Sequence, residues 1–484
     1  MTRSIRPARE RAPLRAALLS AAFIVTAAPG SAPLAEESLV AVTTDYETSG
    51  QCARMGLESP WTVEANLEPI GSDPVVRAWR NRIYVVNRLF ADNIQVIDPE
   101  AGFETVLEFS VGAGSNPQDI AFADDDKAYV SRYESVWLYE VDPSTGSITD
   151  SIDLSVFADA DGLPEMGRMA LYGGRLFVQI QRIDRSTWTP LLPSYLAVVD
   201  VATNALIDVD PSAPGVQGIP LRASNPNGAM LLDEETGTIY VGETGSYLVL
   251  DGGIEKIAAV SLVSEGWVVT EATLGGDLGG FTLSGSRGYA VVSSDWFYTT
   301  RLVSFGVFTG SMTGTHYTTD GYVPDVEWDT ATAHVFLADR KITQPGVHVF
   351  DAATGTKLTA SPRNTGLPPA DLVVYRTVQA GVDVAEGGEA LLGGRFAWAE
   401  PNPARGGATL RFRVPNGATP EVLVYDVRGR LVRAIRSVRA PVADFLEVGW
   451  DGRDETGREV PPGVYFYRAA GTGDARGGRV VIVR

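Results

Sequence analysis

The chain has 484 residues, 44% of them hydrophobic and 21% charged, so it has enough apolar material for a sizeable core and is not disordered by composition. Its formal net charge of −20 excludes a general nucleic-acid binder, which needs clustered Lys and Arg to meet phosphates. The charge is divided unevenly: residues 36–395 carry 21 basic and 49 acidic side chains, whereas residues 396–484 carry 14 basic and 10 acidic ones. A step of this kind predicts two domains with different surroundings.

Residues 1–35 read as a signal peptide. Arg3, Arg6, Arg9, Arg11 and Arg15 form a basic start, Ala16 to Ala28 is apolar, and small residues follow as far as Ala35. The apolar run is shorter than the ~20 residues of a membrane span, so export without a span is expected. Cys52 is the one cysteine. No internal disulfide is possible, and a buried or loop thiol is the plain expectation.

Residues 36–378 contain a repeated phrase: a Pro or Gly turn, two short β-branched strands, a gap, a third strand, then Asp and a small turn. NPQDIAFADDDKAYVSR (116–132) with VWLYEVDPSTG (136–146) shows it most fully. Ile120 and Phe122, then Ala128 and Val130, alternate as in strands with one face inward. The phrase returns at 73–102, 163–204, 225–243, 278–294 and 322–355, with turn markers at 74, 117, 164, 226, 279, 324 and 369. Spacings of 43 to 62 residues are those of propeller blades.

The copy beginning at 367–376 lacks later strands, and SLVAVTTDYE (38–47) with SPWTVEANLEP (59–69) lacks a beginning. Joining them closes a seven-bladed ring and hides the strand edges that an open array would expose. Asn116 to Val130, Tyr84 to Asn87 and Ile94 to Asp98 resemble the repeat of secreted propellers of the YVTN, or surface-antigen, type. That resemblance implies the fold and leaves the function open.

A linker at 379–395 leads to a second domain, 396–484. Alternation at Leu410, Phe412 and Val414, and at Val422, Val424 and Asp426, predicts a small immunoglobulin-like β-sandwich. Four groups of residues resemble the Ig-like domain of flagellar hook-capping (FlgD-like) proteins: Pro401-Asn402-Pro403, Tyr425-Asp426 with Gly429-Arg430, Trp450-Asp451-Gly452 and Pro462-Gly463-Val464-Tyr465. The segment is also similar to sorting tails of type IX secretion. Those likenesses imply a tail that serves secretion or attachment at the cell surface, or an accessory structural module.

The sequence names no catalytic residue, no cofactor-binding residue, no metal-ligand set and no cofactor. His316, His334 and His348 lack metal-ligand spacing. Asp119, Asp325 and Asp371 recur at the starts of innermost strands, where they either bind amides of the neighbouring blade or crowd a cation into the channel. Asp159 and Asp161 before Gly162 form part of a calcium-type loop whose remaining ligands are missing. Most tryptophans are expected in the core. The insert Asp184 to Ser194, with Trp188, is the expected binding loop.

The resulting expectation is an exported, non-catalytic binding or scaffold protein, secreted or at the cell surface. Its propeller would engage a protein or glycan, and its tail would engage secretion or envelope machinery. The alternative is a lactonase-like hydrolase or lyase using a divalent ion on channel carboxylates.

Overall fold

The computed structural model describes residues 37–377 and, further on, 397–400, 404–413, 421–426, 430–436, 445–470 and 477–483. The expected signal peptide, the linker, Pro401 to Pro403 and Gly429 lie outside the described residues. Within them the chain is nearly all β, and no helix is long and apolar enough to cross a membrane.

Residues 38–375 form a β-propeller. Seven antiparallel sheets of three to five strands, plus a two-stranded ribbon at 183–190, are described there. Six of the sheets run outward in chain order from an inner strand: Pro74–Trp79, Pro117–Phe122, Met166–Tyr172, Met230–Asp233, Asp277–Ser284 and Asp325–Asp329. In the seventh, the late strand Pro369–Tyr375 is innermost and pairs with the early strand Ser38–Thr43, with Leu39 opposite Val374 and Ala41 opposite Leu372. Gly50–Gly56 and Val63–Glu64 complete that sheet outward. The stretch 59–69 supplies only short pairings, and its place as the main neighbour is taken by GQCARMG. Cys52 lies on that strand, fully buried, and burial raises its thiol pKa.

The second strands depart from one-sided alternation. All five residues of Ala128–Arg132 are buried, as are Leu176–Ile180 and Val335–Asp339. Each sheet packs against a neighbour on both faces, so the mid-sheet strands have no solvent face to mark with polar residues. Apolar clusters accordingly span pairs of sheets. One joins Val75, Tyr84 and Val96 to Ile120, Phe122 and Val130, with Trp79 and Phe122 stacked at 5.1 Å. Each such fully buried side chain contributes about 1.5–3 kcal/mol.

The described tail residues form a three-stranded sheet (Ala397–Glu400, Ala408–Arg413, Phe445–Trp450) and a five-stranded sheet that includes Glu421–Tyr425 and Gly463–Ala470. Leu410, Val448 and Trp450 of the first share one core with Val422, Val424, Tyr465 and Tyr467 of the second.

Candidate functional site

Because the strands of each sheet are antiparallel, their connections alternate between two faces of the ring. One face carries the turns between first and second strands and between third and fourth. Five of these share the sequence Asp-x-x-Thr followed by a left-handed residue: Asp142 to Gly146, Asp200 to Asn204, Asp233 to Gly237, Asp329 to Ala333 and Asp351 to Gly355. In each, the Asp carboxylate accepts from a turn amide and from the Thr hydroxyl, as with Ser144 N at 2.8 Å and Thr145 Oγ1 at 2.8 Å on Asp142. Hydrogen bonds from Ser144 lower the Asp142 pKa, and those from Thr354 lower that of Asp351. Part of the acidic excess is therefore turn chemistry.

The opposite face carries the connections between second and third strands and those between sheets. Its loops at 44–49, 88–92, 181–194, 244–252, 294–299 and 340–345 display Tyr46, Leu89, Phe90, Trp188, Leu192, Leu248, Val249, Leu250, Trp296, Tyr298 and Ile342, all exposed. Phe90 and Ile342 are each 93% exposed and Trp188 is 70% exposed, whereas the turns of the first face show Val260 and Phe308, with Val263 and Leu358 beside them. Neighbouring loops brace one another. Asp92 accepts from Gly114 N at 2.7 Å and Asn116 N at 2.8 Å, Leu248 N donates to Asp277 at 2.7 Å, and Tyr247 packs on Trp296 at 5.4 Å.

Trp188 is exposed as its insert suggested; Trp61 and Trp79 are core residues, but Trp267 and Trp328 are half-buried and Trp137 and Trp296 exposed, so fewer tryptophans lie in the core than expected. Trp296, Phe90 and Ile342 were missed by sequence reasoning. Their signal was an apolar residue in the gap between the second and third strands of a repeat. The insert bearing Trp188 is held by Arg185, which pairs with Glu134 (2.5 Å), Glu165 (3.1 Å) and Asp161 (3.2 Å). Oxygens of Asp159, Asp161 and Glu165 lie within 4.8 Å of one another, so the partial calcium loop gains a third carboxylate, Glu165. Burial and the nearby Asp161 push Glu165 up to about 7.

The inner strands bring Asp119, Asp325 and Asp371 to the axis, each bound to a backbone amide of the next sheet. Asp119 accepts from Met169 N, Asp325 from Leu372 N and Asp371 from Val76 N, all at 2.9 Å. Arg77 pairs with Asp119 at 2.8 Å and with Asp371 at 3.5 Å, and Arg168 approaches Asp371 at 3.8 Å. Glu327 joins them, pushed up to about 8 by burial and by Asp325 and Asp371. Asp325 is raised likewise, by burial and then by Asp371. Both side chains retain some surface exposure along the axis yet are enclosed by protein, and enclosure governs the cost of their charge.

The three histidines lie in separate surroundings. His348 is buried against Tyr317 Oη (2.9 Å) and pushed down to about 4 by burial, His316 meets Ser304 Oγ (2.7 Å), and His334 Nδ1 donates to Leu57 O (2.9 Å).

No protein-family model and no curated protein sequence matches the chain. Solved structures share its fold at low identity. A putative 6-phosphogluconolactonase from Bacteroides uniformis aligns at 12% identity over 70% of this chain and 100% of that one, with a TM-score of 0.51. Another, from Bacteroides fragilis, aligns at 13% identity over 71% and 98%, with a TM-score of 0.50. PorZ, a surface component of the type IX secretion system of Porphyromonas gingivalis, aligns at 15% identity over 91% of this chain and 65% of its own length, with a TM-score of 0.43. The two Bacteroides likenesses show the β-propeller fold.

Proposed function

We propose that the protein is an exported, non-catalytic binding or scaffold protein whose apolar loop face engages a protein or glycan outside the cytoplasm. The observation that carries this reading is the asymmetry of the two faces: exposed aromatic and aliphatic side chains gather on one set of loops, braced by hydrogen bonds between neighbouring sheets. A soluble surface gains nothing in stability from such side chains, and a gathered set of them marks an interaction surface. In the same reading the seven sheets are seven blades, and the tail from 396 is an Ig-like module serving secretion or surface attachment.

Axial chemistry supports binding over hydrolysis. A divalent ion needs free carboxylate oxygens. Here Asp119, Asp325 and Asp371 each give an oxygen to an amide, and Arg77 and Arg168 supply the positive charge. These three aspartates, so engaged, do not fit a divalent cation at the axis.

The test has two arms, read as retention of the protein at the surface of the producing cell. Replacing Phe90 and Trp296 with Ser should reduce partner capture at least about tenfold, while Phe308→Ser on the other face leaves it unchanged. Truncation after Arg395 should release the protein from its surface or block its export. Unchanged capture in the first arm overturns the loop-face reading, and unchanged secretion and retention in the second overturn the tail's role.

A further inference from the structure

At the axial mouth of the loop face, Arg340 lies between two tyrosines, its guanidinium carbon 5.6 Å from the ring centres of both Tyr46 and Tyr322. Its Nε donates to Pro369 O at 2.7 Å, and its two terminal nitrogens have no hydrogen-bond partner among the described residues. No carboxylate among the described residues pairs with it. Asp73, whose charge reaches Arg340, is bound at 2.6 Å by Arg88, which also donates to Gln118 at 3.1 Å. Burial lowers the pKa of Arg340, and the adjacent Arg88 adds to that cost. A guanidinium partly stripped of water and given no counter-charge is the arrangement that an incoming anion completes. It is unusual ground for a cation without a partner, because residues 36–395 carry a balance of −28.

Flanking groups narrow the class of anion. Tyr46 is 58% and Tyr322 42% exposed, presenting aromatic faces beside a planar fork. Their hydroxyls have no hydrogen-bond partner among the described residues. Sugar C–H faces stack on such rings, sugar hydroxyls satisfy phenols, and a carboxylate takes both terminal nitrogens of a guanidinium at once. We propose that Arg340, Tyr46 and Tyr322 form a subsite for the carboxylate of an acidic sugar, a uronate unit of a glycan partner. This inference rests on the loop face being the binding surface and names the chemistry recognised at its centre.

Calorimetric titration of the full chain with oligogalacturonate, and with a neutral oligosaccharide of the same length, tests it. Binding of the acidic oligomer alone is expected, weakened at least about tenfold in Arg340→Met and in Arg340→Lys, which keeps the charge but loses the fork. Thermal melts of both variants should match the parent, which separates lost binding from lost fold. Failure of the parent to bind oligogalacturonate, equal binding of the neutral oligomer, tighter binding of an acidic peptide, or an unaffected Arg340→Met would overturn the subsite. Loss of surface capture in the Phe90 and Trp296 variants, with no uronate binding, overturns this inference alone. Uronate binding through Arg340, with capture untouched in those variants, overturns the loop-face reading alone.

Discussion

Asp119 shows how one residue joins two sheets of the ring. Its carboxylate is 2% exposed, takes Met169 N from the next sheet and pairs with Arg77 from the previous one. Removing it leaves a buried amide without a partner and Arg77 with only its longer pairing to Asp371 at 3.5 Å. Asp119→Ala should therefore cost about 3 kcal/mol in chemical denaturation, whereas Asp124→Ala on an exposed turn stays within about 0.5 kcal/mol. Glu327 provides a pH signature at the same axis. Its folded pKa of about 8 stands above the ordinary 4.5, so between those values the folded state holds a proton that the unfolded state has released. Stability contributed by this group is complete below about pH 4.5 and is lost as pH rises toward 8. Glu327→Gln should flatten the fall in stability across that window. A variant whose melting temperature tracks the parent's at every pH contradicts the assignment.

At the scale of elements, the turns were the most legible part of the sequence and the loops the least. The phrase Asp-x-x-Thr-Gly could be read directly because its chemistry is local: the Asp and Thr side chains bond within five residues, and the last residue must turn left-handed. Ala333 takes that left-handed conformation without being glycine, at φ 55°, where its methyl group crowds the backbone. Ala333→Gly should raise stability by about 1 kcal/mol, measured by denaturant titration against the parent. Gly50–Gly56 escaped the sequence reading because its apolar residues are few. Burial there comes from the neighbouring sheets, a property of the tertiary fold that a period-two pattern does not encode. The amide role of Asp119, Asp325 and Asp371 was one of two open readings, and only the position of the next sheet decides between them. Likewise, the loop residues Phe90, Trp296 and Ile342 gather only after the ring closes, since they lie on different repeats.

For the whole molecule, closure does two things. Pairing Ser38–Thr43 with Pro369–Tyr375 covers the strand edges at both chain ends, and it arranges loops from separate repeats around one mouth. That division of labour leaves one face to short, self-satisfied turns and the other to exposed apolar loops. Arg340, with Tyr46 and Tyr322 beside it, belongs to that loop face. The central claim is that partners dock on this face. The most direct measurement places a photo-reactive phenylalanine analogue at position 90, 296 or 308 and maps covalent adducts on the producing cells. Positions 90 and 308 are comparably exposed, at 93% and 81%, so they differ mainly in the face they occupy. Adducts at 90 and 296 with none at 308 are predicted. Adducts at 308 alone, or equally at all three positions, would contradict the account.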